Sequence, residues 1–251
     1  MTKDTRKMYT EQCIVISLGG SILVPNTIDT EYVYSFTKFL LEISKAKKKC
    51  CIIVGGGRTA RAYIQSLSEV AKKQGVLPPS ESLDWLGIQS TKLNAQLLKE
   101  SVSALAQKHT HMKVFPKIVN TLKNIDFTEY NILFVYGMKP GSSTDYVATR
   151  FATHLGAKTV YNFTDVEYVY TKNPKKYSDA KPVFKCTWND FKDILQMTSW
   201  KAGAHAPFDP IASQYAQKKG LKVVILNGLD LQNATKSVLG KKAKGTSISD
   251  A

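Results

Sequence analysis

Three glycine-bearing stretches stand directly after short apolar runs. They are Gly19-Gly20-Ser21 after 12–18 (QCIVISL), Gly55-Gly56-Gly57 after 50–54 (CCIIV), and 136–145 (YGMKPGSSTD) at the end of 131–136 (NILFVY). A residue without Cβ at a strand end lets backbone N–H groups approach an anion closely, which is the chemistry of phosphate binding. In the first stretch Ser21 adds a hydroxyl donor. A tight turn also uses Gly-Gly after a strand, so this loop alone does not choose between the two readings. The second stretch is followed by Arg58 and Arg61 on the first turn of the next helix. There the free N–H groups and the dipole attract anions, and a guanidinium adds a bidentate phosphate contact. Its spacing is neither the Walker A pattern G-x-x-x-x-G-K-[ST] nor the dinucleotide pattern G-x-G-x-x-G. The third stretch offers Lys139, several small hydroxyl donors and Asp145. Ser143, Thr144 or Asp145 would equally serve as an ordinary helix N-cap. Taken together, three anion-ready loops at successive strand ends describe a site for two phosphorylated ligands.

Loops of this kind need rigid elements on either side. The apolar runs at 12–18, 50–54, 131–136, 158–163 and 221–226 predict buried strands, and period-3.6 patterns predict helices near 29–46, 58–74, 82–108, 144–155, 187–198 and 208–219. The alternation, with continuous apolar strands, predicts an α/β fold: a mainly parallel open sheet covered by helices on both faces. Right-handed crossovers then line the strand-to-helix loops along the carboxyl edge, where such sheets bind ligands. The segment 165–186, with Pro174 and Pro182, is the most loop-like and has room for a small hairpin. No composition break divides the chain, so a single domain over 1–251 is expected, with 1–11 as an N-terminal extension.

With 251 residues, 43% of them hydrophobic, the chain can bury a sizeable core. Nothing approaches the roughly 20 apolar residues of a membrane span, and MTKDTRKMYTEQ lacks the apolar core of a signal peptide, so a cytoplasmic location is expected. Cys13, Cys50, Cys51 and Cys186 have no zinc-ligand spacing, and the first three fall in or beside apolar strands, which favours buried, inert thiols. The four histidines lack partner spacing; His205 is notable only for its nearness to Lys201. A formal charge of +15 points to polyanionic partners: nucleic acid, an acidic membrane or phosphorylated small molecules. Much of the excess lies in runs such as 45–49 and 241–244, which read as solvated surface. No nucleic-acid-binding motif accompanies the charge, so neither nucleic acid nor membrane is expected as a partner.

The motifs resemble those of the amino-acid kinase superfamily, and within it the archaeal-type UMP kinases. The matching stretches are G-G-S-I-L-V-P at 19–25, V-G-G-G-x-x-A-R at 54–61, D-W-L-G-I-Q-S-T-K-L-N-A at 84–95, P-G-S-S-T-D at 140–145, T-D-V-x-x-V-Y-T at 164–171, K-A-G at 201–203 and D-P at 209–210. The resemblance covers nearly the whole chain and implies one three-layer α/β/α sandwich. About 12–155 would hold the phosphate acceptor and about 156–251 would hold ATP. It implies transfer of the ATP γ-phosphoryl group to UMP in pyrimidine nucleotide synthesis, by a hexamer assembled from dimers. Carried over residue by residue, Gly55, Gly56, Asp84 and the loop of Met138, Lys139, Pro140, Gly141, Ser142, Ser143 and Thr144 would hold UMP. Gly20, Ser21, Gly57 and Arg61 would surround the phosphates, and Thr164, Asp165, Tyr170 and Asn173 would line the adenosine side. Arg61 and Lys201 would stabilise the transferring group, with Asp145 orienting the basic groups. Mg²⁺ would travel with ATP, with no protein metal ligands implied. Capping a helix (Asp84), filling the core (Tyr170) and solvated charge (Lys201) are the plain alternatives.

Two departures from the family pattern stand out. Many relatives carry lysine where this chain has Ser17, and the common T-D-V-D-G-V-Y-T-x-D-P becomes T-D-V-E-Y-V-Y-T-K-N-P at 164–174. They keep two rivals in view. One is a kinase of another phosphorylated acceptor such as isopentenyl phosphate, whose family usually has histidine at the Val54 position. The other is a non-catalytic nucleotide- or anion-binding member of the same fold.

Overall fold

A computed structural model of the chain describes residues 13–123, 125–172, 174, 176–197 and 207–250. Its centre is β1 (Cys13–Leu18), which pairs in parallel with β2 (Lys49–Val54) on one side and β4 (Thr159–Thr164) on the other. Beyond β2 lies β3 (Ile132–Val135), and beyond β4 lie β8 (Lys222–Asn227), β9 (Thr246–Ile248) and β7 (Lys185–Cys186). The sheet order is therefore β3-β2-β1-β4-β8-β9-β7, parallel throughout except where β9 runs against β8. All five predicted strands are present. The antiparallel β9 was not foreseen, because three residues after a glycine leave no readable periodicity.

Continuous apolar strands follow from burial on both faces. Ile14, Ile16, Leu18, Cys50, Ile52 and Val54 enter one core cluster, whereas Val15, Cys51, Ile53, Leu133 and Val135 enter the other. The first cluster is closed by α2 (Thr30–Lys45), α4 (Ser80–Ala106) and α8 (Leu231–Val238), the second by α5 (Thr144–Leu155), α6 (Trp188–Met197) and α7 (Pro210–Lys218). Two further helices begin within the glycine loops: α1 (Gly20–Leu23) and α3 (Gly57–Lys73). The result is the expected three layers. Helices α1 and α8 escaped the periodicity reading because four and eight residues give too few turns for a pattern. The hairpin foreseen in 165–186 is β5 (Val169–Tyr170) with β6 (Pro182–Val183). All four cysteines are free thiols, and burial pushes Cys13 up to about 12 and Cys186 up to about 11.

The order of connections places the chemistry. From β1 the chain builds outward to β2 and β3, then crosses to β4 and β8 on the opposite side. Such a reversal opens a crevice at the carboxyl ends of the two strands where it occurs, here β1 and β4. Both glycine pairs named first lie at that edge.

At the opposite edge, Lys49 fixes the start of β2. Its Nζ donates to the carbonyls of Phe127, Thr128 and Tyr130 at 2.7, 2.6 and 2.8 Å, and lies 5.1 Å from the Phe127 ring centre. Lys49→Ala strips three carbonyls of a charged donor and is expected to lower stability by about 2–3 kcal/mol. Denaturant unfolding measures this, and turnover per folded molecule should be unchanged.

Candidate active site

Steric contact dictates glycine where the first two loops meet. A Cβ on Gly20 would lie 2.1 Å from the Gly57 nitrogen, and one on Gly55 would lie 2.4 Å from the Gly20 nitrogen. Gly57 also has a φ of 63°, a left-handed conformation that side chains disfavour. The two backbones thus cross in direct contact beside the carboxyl ends of β1 and β2. Gly55 N–H donates to the Leu18 carbonyl at 2.9 Å and Arg58 N–H to the Val24 carbonyl at 3.0 Å. Arg61, one turn into α3, donates from Nη1 to Ser21 Oγ at 3.2 Å and so spans both loops. Gly19 N–H donates to the Phe163 carbonyl at 2.9 Å, tying the crossing to β4.

Beside the crossing, a cavity of about 180 Å³ opens between α3, α4 and the third loop. Gly56, Asp84, Lys139, Ser142 and Thr144 line it, together with Ile64, Gly87, Ile88, Thr91 and Gly137. Asp84 lies within α4, whose N-cap is Pro79, so the helix-cap reading of Asp84 is set aside. Its Oδ2 instead accepts from Gly141 N–H at 2.7 Å and pins the third loop to the helix. Ser143 does cap α5, accepting from Tyr146 N–H at 3.1 Å. Met138 turns toward the core cluster and contributes packing.

Two polar residues of α4 that were not singled out as site residues hold these loops. Thr91 Oγ1 accepts from Gly137 N–H at 2.9 Å, and Asn94 Nδ2 donates to the Gly55 and Gly56 carbonyls at 2.8 and 3.1 Å. Both are buried, three residues apart on one helix face, and their place in the 84–95 motif is the signal that could have found them.

This crossing of glycine loops beside an open cavity belongs to a stretch that is recognisable as a whole, since residues 12–227 match the profile of the amino acid kinase family. The chain belongs to the amino acid kinase family. Within it, the uridylate kinase of Pyrococcus abyssi is 33% identical over 94% of this chain and 98% of its own, and that of Thermoplasma volcanium 31% identical over 95% and 98%. Among solved structures, the uridylate kinase of Archaeoglobus fulgidus superposes with a TM-score of 0.76 at 26% identity, covering 94% of this chain and 99% of that one. These relatives, similar over nearly their whole length, are thus uridylate kinases of archaea.

Against that family background, the surroundings of Ser17 are informative. Ser17 is buried, and its Oγ donates to Asp145 Oδ1 at 2.8 Å, while Asp209 N–H donates to Asp145 Oδ2 at 3.1 Å. Asp209 in turn caps α7 by accepting from Ala212 N–H at 2.7 Å. Part of Asp145 reaches the surface, but its carboxylate faces inward. Desolvation pushes its pKa up to about 6, against the lowering effect of the two donors, and the neighbouring Asp209 charge raises it further. No salt bridge to Asp145 occurs among the described residues.

On the β4 side of the amino acid kinase crevice, Thr164 Oγ1 donates to Asp165 Oδ1 at 3.2 Å and the Thr164 carbonyl accepts from Gly228 N–H at 2.8 Å. Tyr170 forms half of β5. Asn173, Lys201 and His205 lie outside the described residues. Of the residues foreseen, Gly20, Ser21, Gly55, Gly56, Gly57 and Arg61 converge at the crossing, and Asp84 joins the 138–144 loop around the cavity.

Proposed function

We propose that this chain transfers the γ-phosphoryl group of ATP to UMP, giving UDP and ADP. The observation that carries the reading is the cavity walled by Gly56, Asp84 and Lys139 immediately beside the Gly20–Gly57 crossing. Relatives named uridylate kinase over nearly their full length support it. UMP fits the cavity chemically. The Asp84 carboxylate suits ribose hydroxyls, Lys139 and Arg61 suit phosphate, and the Ile64 and Ile88 walls suit a base face.

The division of labour follows the sheet. The acceptor takes the β2–β3 side, formed within about 12–155, and ATP takes the β4–β8 side, formed within about 156–251. Phosphoryl transfer asks little covalent work of a protein, so positioning and charge stabilisation dominate. Backbone N–H groups of Gly20, Ser21 and Gly57 cradle the phosphates, and Arg61 spans acceptor and donor. Lys201 supplies a further cation, Asp145 fixes the segments around the transferring group, and Thr164, Asp165, Tyr170 and Asn173 border the adenosine. The 138–144 loop excludes water over the acceptor. Mg²⁺ is assigned to the ATP oxygens, with no protein ligands of its own. The ion would supply charge neutralisation for the phosphates held by Gly20, Ser21, Gly57 and Arg61.

The reading extends to a cytoplasmic protein with no nucleic-acid or membrane partner, placed in pyrimidine nucleotide synthesis. No helix of the described residues is long and apolar enough to cross a membrane. It extends also to a homo-oligomer, a hexamer built from dimers. Helices α3 and α4 expose Tyr63, Val70, Trp85 and Leu93, and Ala71 is the only buried residue of α3.

Incubation with Mg-ATP and each of UMP, CMP, AMP and isopentenyl phosphate, followed by ADP release, tests the assignment. UMP should give the highest kcat/KM. Isopentenyl phosphate as the best acceptor would replace the substrate, and nucleotide binding without turnover of any acceptor would leave a binding protein. Asp84→Ala should raise the KM for UMP about 10- to 100-fold, the value of one or two hydrogen bonds to a charged group, with little change in KM for ATP.

A further inference from the structure

Tyr168 occupies a position where the family pattern has glycine, and the function above gives it no task. On β5, Val169 points into the core, 1% exposed, with its N–H donating to Thr246 Oγ1 at 2.9 Å. Strand alternation puts Tyr168 and Tyr170 together on the opposite face. The Tyr168 ring meets Tyr170 edge-on at 6.5 Å and Phe184 edge-on at 5.2 Å, with interplanar angles of 85° and 83°. Phe184 remains 64% exposed. The preceding residue, Glu167, is anchored to Lys244 Nζ at 2.8 Å, and the Lys244 backbone is held by two hydrogen bonds to the Asn233 side chain at 2.8 and 2.9 Å. A partly exposed aromatic cluster is thus fixed four residues beyond the end of β4, alongside the start of β9 on the β4–β8 side of the sheet.

We propose that Tyr168 and Phe184 form an aromatic wall for the base of the donor nucleotide, with Tyr168 as the residue that sets base preference. The inference rests on placing the donor on the β4–β8 side. A flat aromatic surface grips any base by its face, and a purine offers more face than a pyrimidine. The wall therefore favours purine triphosphates by area, without reading the base edge.

The test uses the intact chain and two readouts: binding of a fluorescent ATP analogue without acceptor, and steady-state kinetics with ATP and CTP as donors. Tyr168→Ala should weaken analogue binding and raise the KM for ATP about tenfold, the lower part of the range for one lost stack. The kcat/KM ratio of ATP to CTP should collapse toward unity, with the KM for UMP unchanged. Tyr168→Phe should restore native behaviour. Phe184→Ala, at an exposed position that folding tolerates, should move the same parameters in the same direction. Unchanged ATP binding and unchanged ATP/CTP preference in both alanine variants would overturn the wall, as would a parallel rise in both KM values with a falling melting temperature. A native chain that binds the analogue but phosphorylates no UMP would overturn the kinase reading alone, and the binding arm would still decide on Tyr168.

Discussion

Gly20→Ala should cost at least a hundredfold in kcat/KM for phosphoryl transfer and lower the melting temperature. The added methyl has nowhere to go: the Gly57 nitrogen stands 2.1 Å away, the Gly55 carbonyl carbon 2.6 Å and the Gly56 nitrogen 2.7 Å. All three are backbone atoms, which cannot rotate aside as a side-chain tip can. The loops must separate, and a displacement near 1 Å in a positioned site costs about two orders of magnitude in rate. Forcing extra volume into packed structure adds about 1–3 kcal/mol of destabilisation. Gly240→Ala is the matched control. Its φ of 74° makes alanine there strain the backbone, which Gly20 does not require, but its Cβ meets nothing within 4 Å, so it isolates strain from steric clash. Activity per folded molecule should survive in the control and be lost in Gly20→Ala. Activity of Gly20→Ala within twofold of the native chain would mean that the crossing does not hold the phosphates.

The second large effect belongs to Asp145. Its pKa in the folded chain, about 6, lies above the ordinary carboxylate value near 3.9. Between these values the folded chain binds more protons than the unfolded one. This group's contribution to stability is therefore greatest below about pH 4, declines as pH rises to about 6, and is flat above. The shift corresponds to about 1–3 kcal/mol, toward the lower end because the residue is partly accessible. Exposed carboxylates held low, such as Asp179 beside Lys172 and Asp190 beside Thr187, tilt the total the other way. The informative quantity is therefore the difference between native and Asp145→Asn unfolding free energies across pH 4–8. An asparagine can accept from Asp209 N–H and donate to Ser17 Oγ, so both neighbours stay bonded and the variant should fold. At pH 8 it should equal or exceed the native stability. At pH 4 it should lose that advantage. If the ionised carboxylate serves transfer, native turnover should fall more steeply as pH drops through about 6 than that of Asp145→Asn, which should show a low rate and keep only the limb of the acceptor phosphate itself.

The sheet and its six main helices were readable because each strand is buried on both faces, and a core strand advertises itself as an unbroken apolar run. The glycine loops were readable because glycine at a strand end has few other reasons to recur three times. What escaped depended on partners far along the chain. Thr91 and Asn94 look like polar interruptions of a helix until the Gly137 N–H and the Gly55 and Gly56 carbonyls are brought against them. Ser17 reads as a missing lysine in isolation, whereas folded it is a hydroxyl partner for a carboxylate. Tyr168 reads as a disturbed glycine, and only the strand alternation of β5 shows which aromatic rings share its face.

Asp145 also has a place in time. It joins Ser17, 128 residues before it, to Asp209, 64 residues after it. The glycine crossing, the cavity and the Ser17 bond all draw on residues made before position 146, and N-terminal parts of a chain fold first as it is synthesised. The N-terminal part can therefore take shape on the ribosome, while the electrostatic setting of its buried carboxylate is completed only when α7 arrives with Asp209 at its head. A chain stalled short of that point would hold a formed cavity and an unfinished charge.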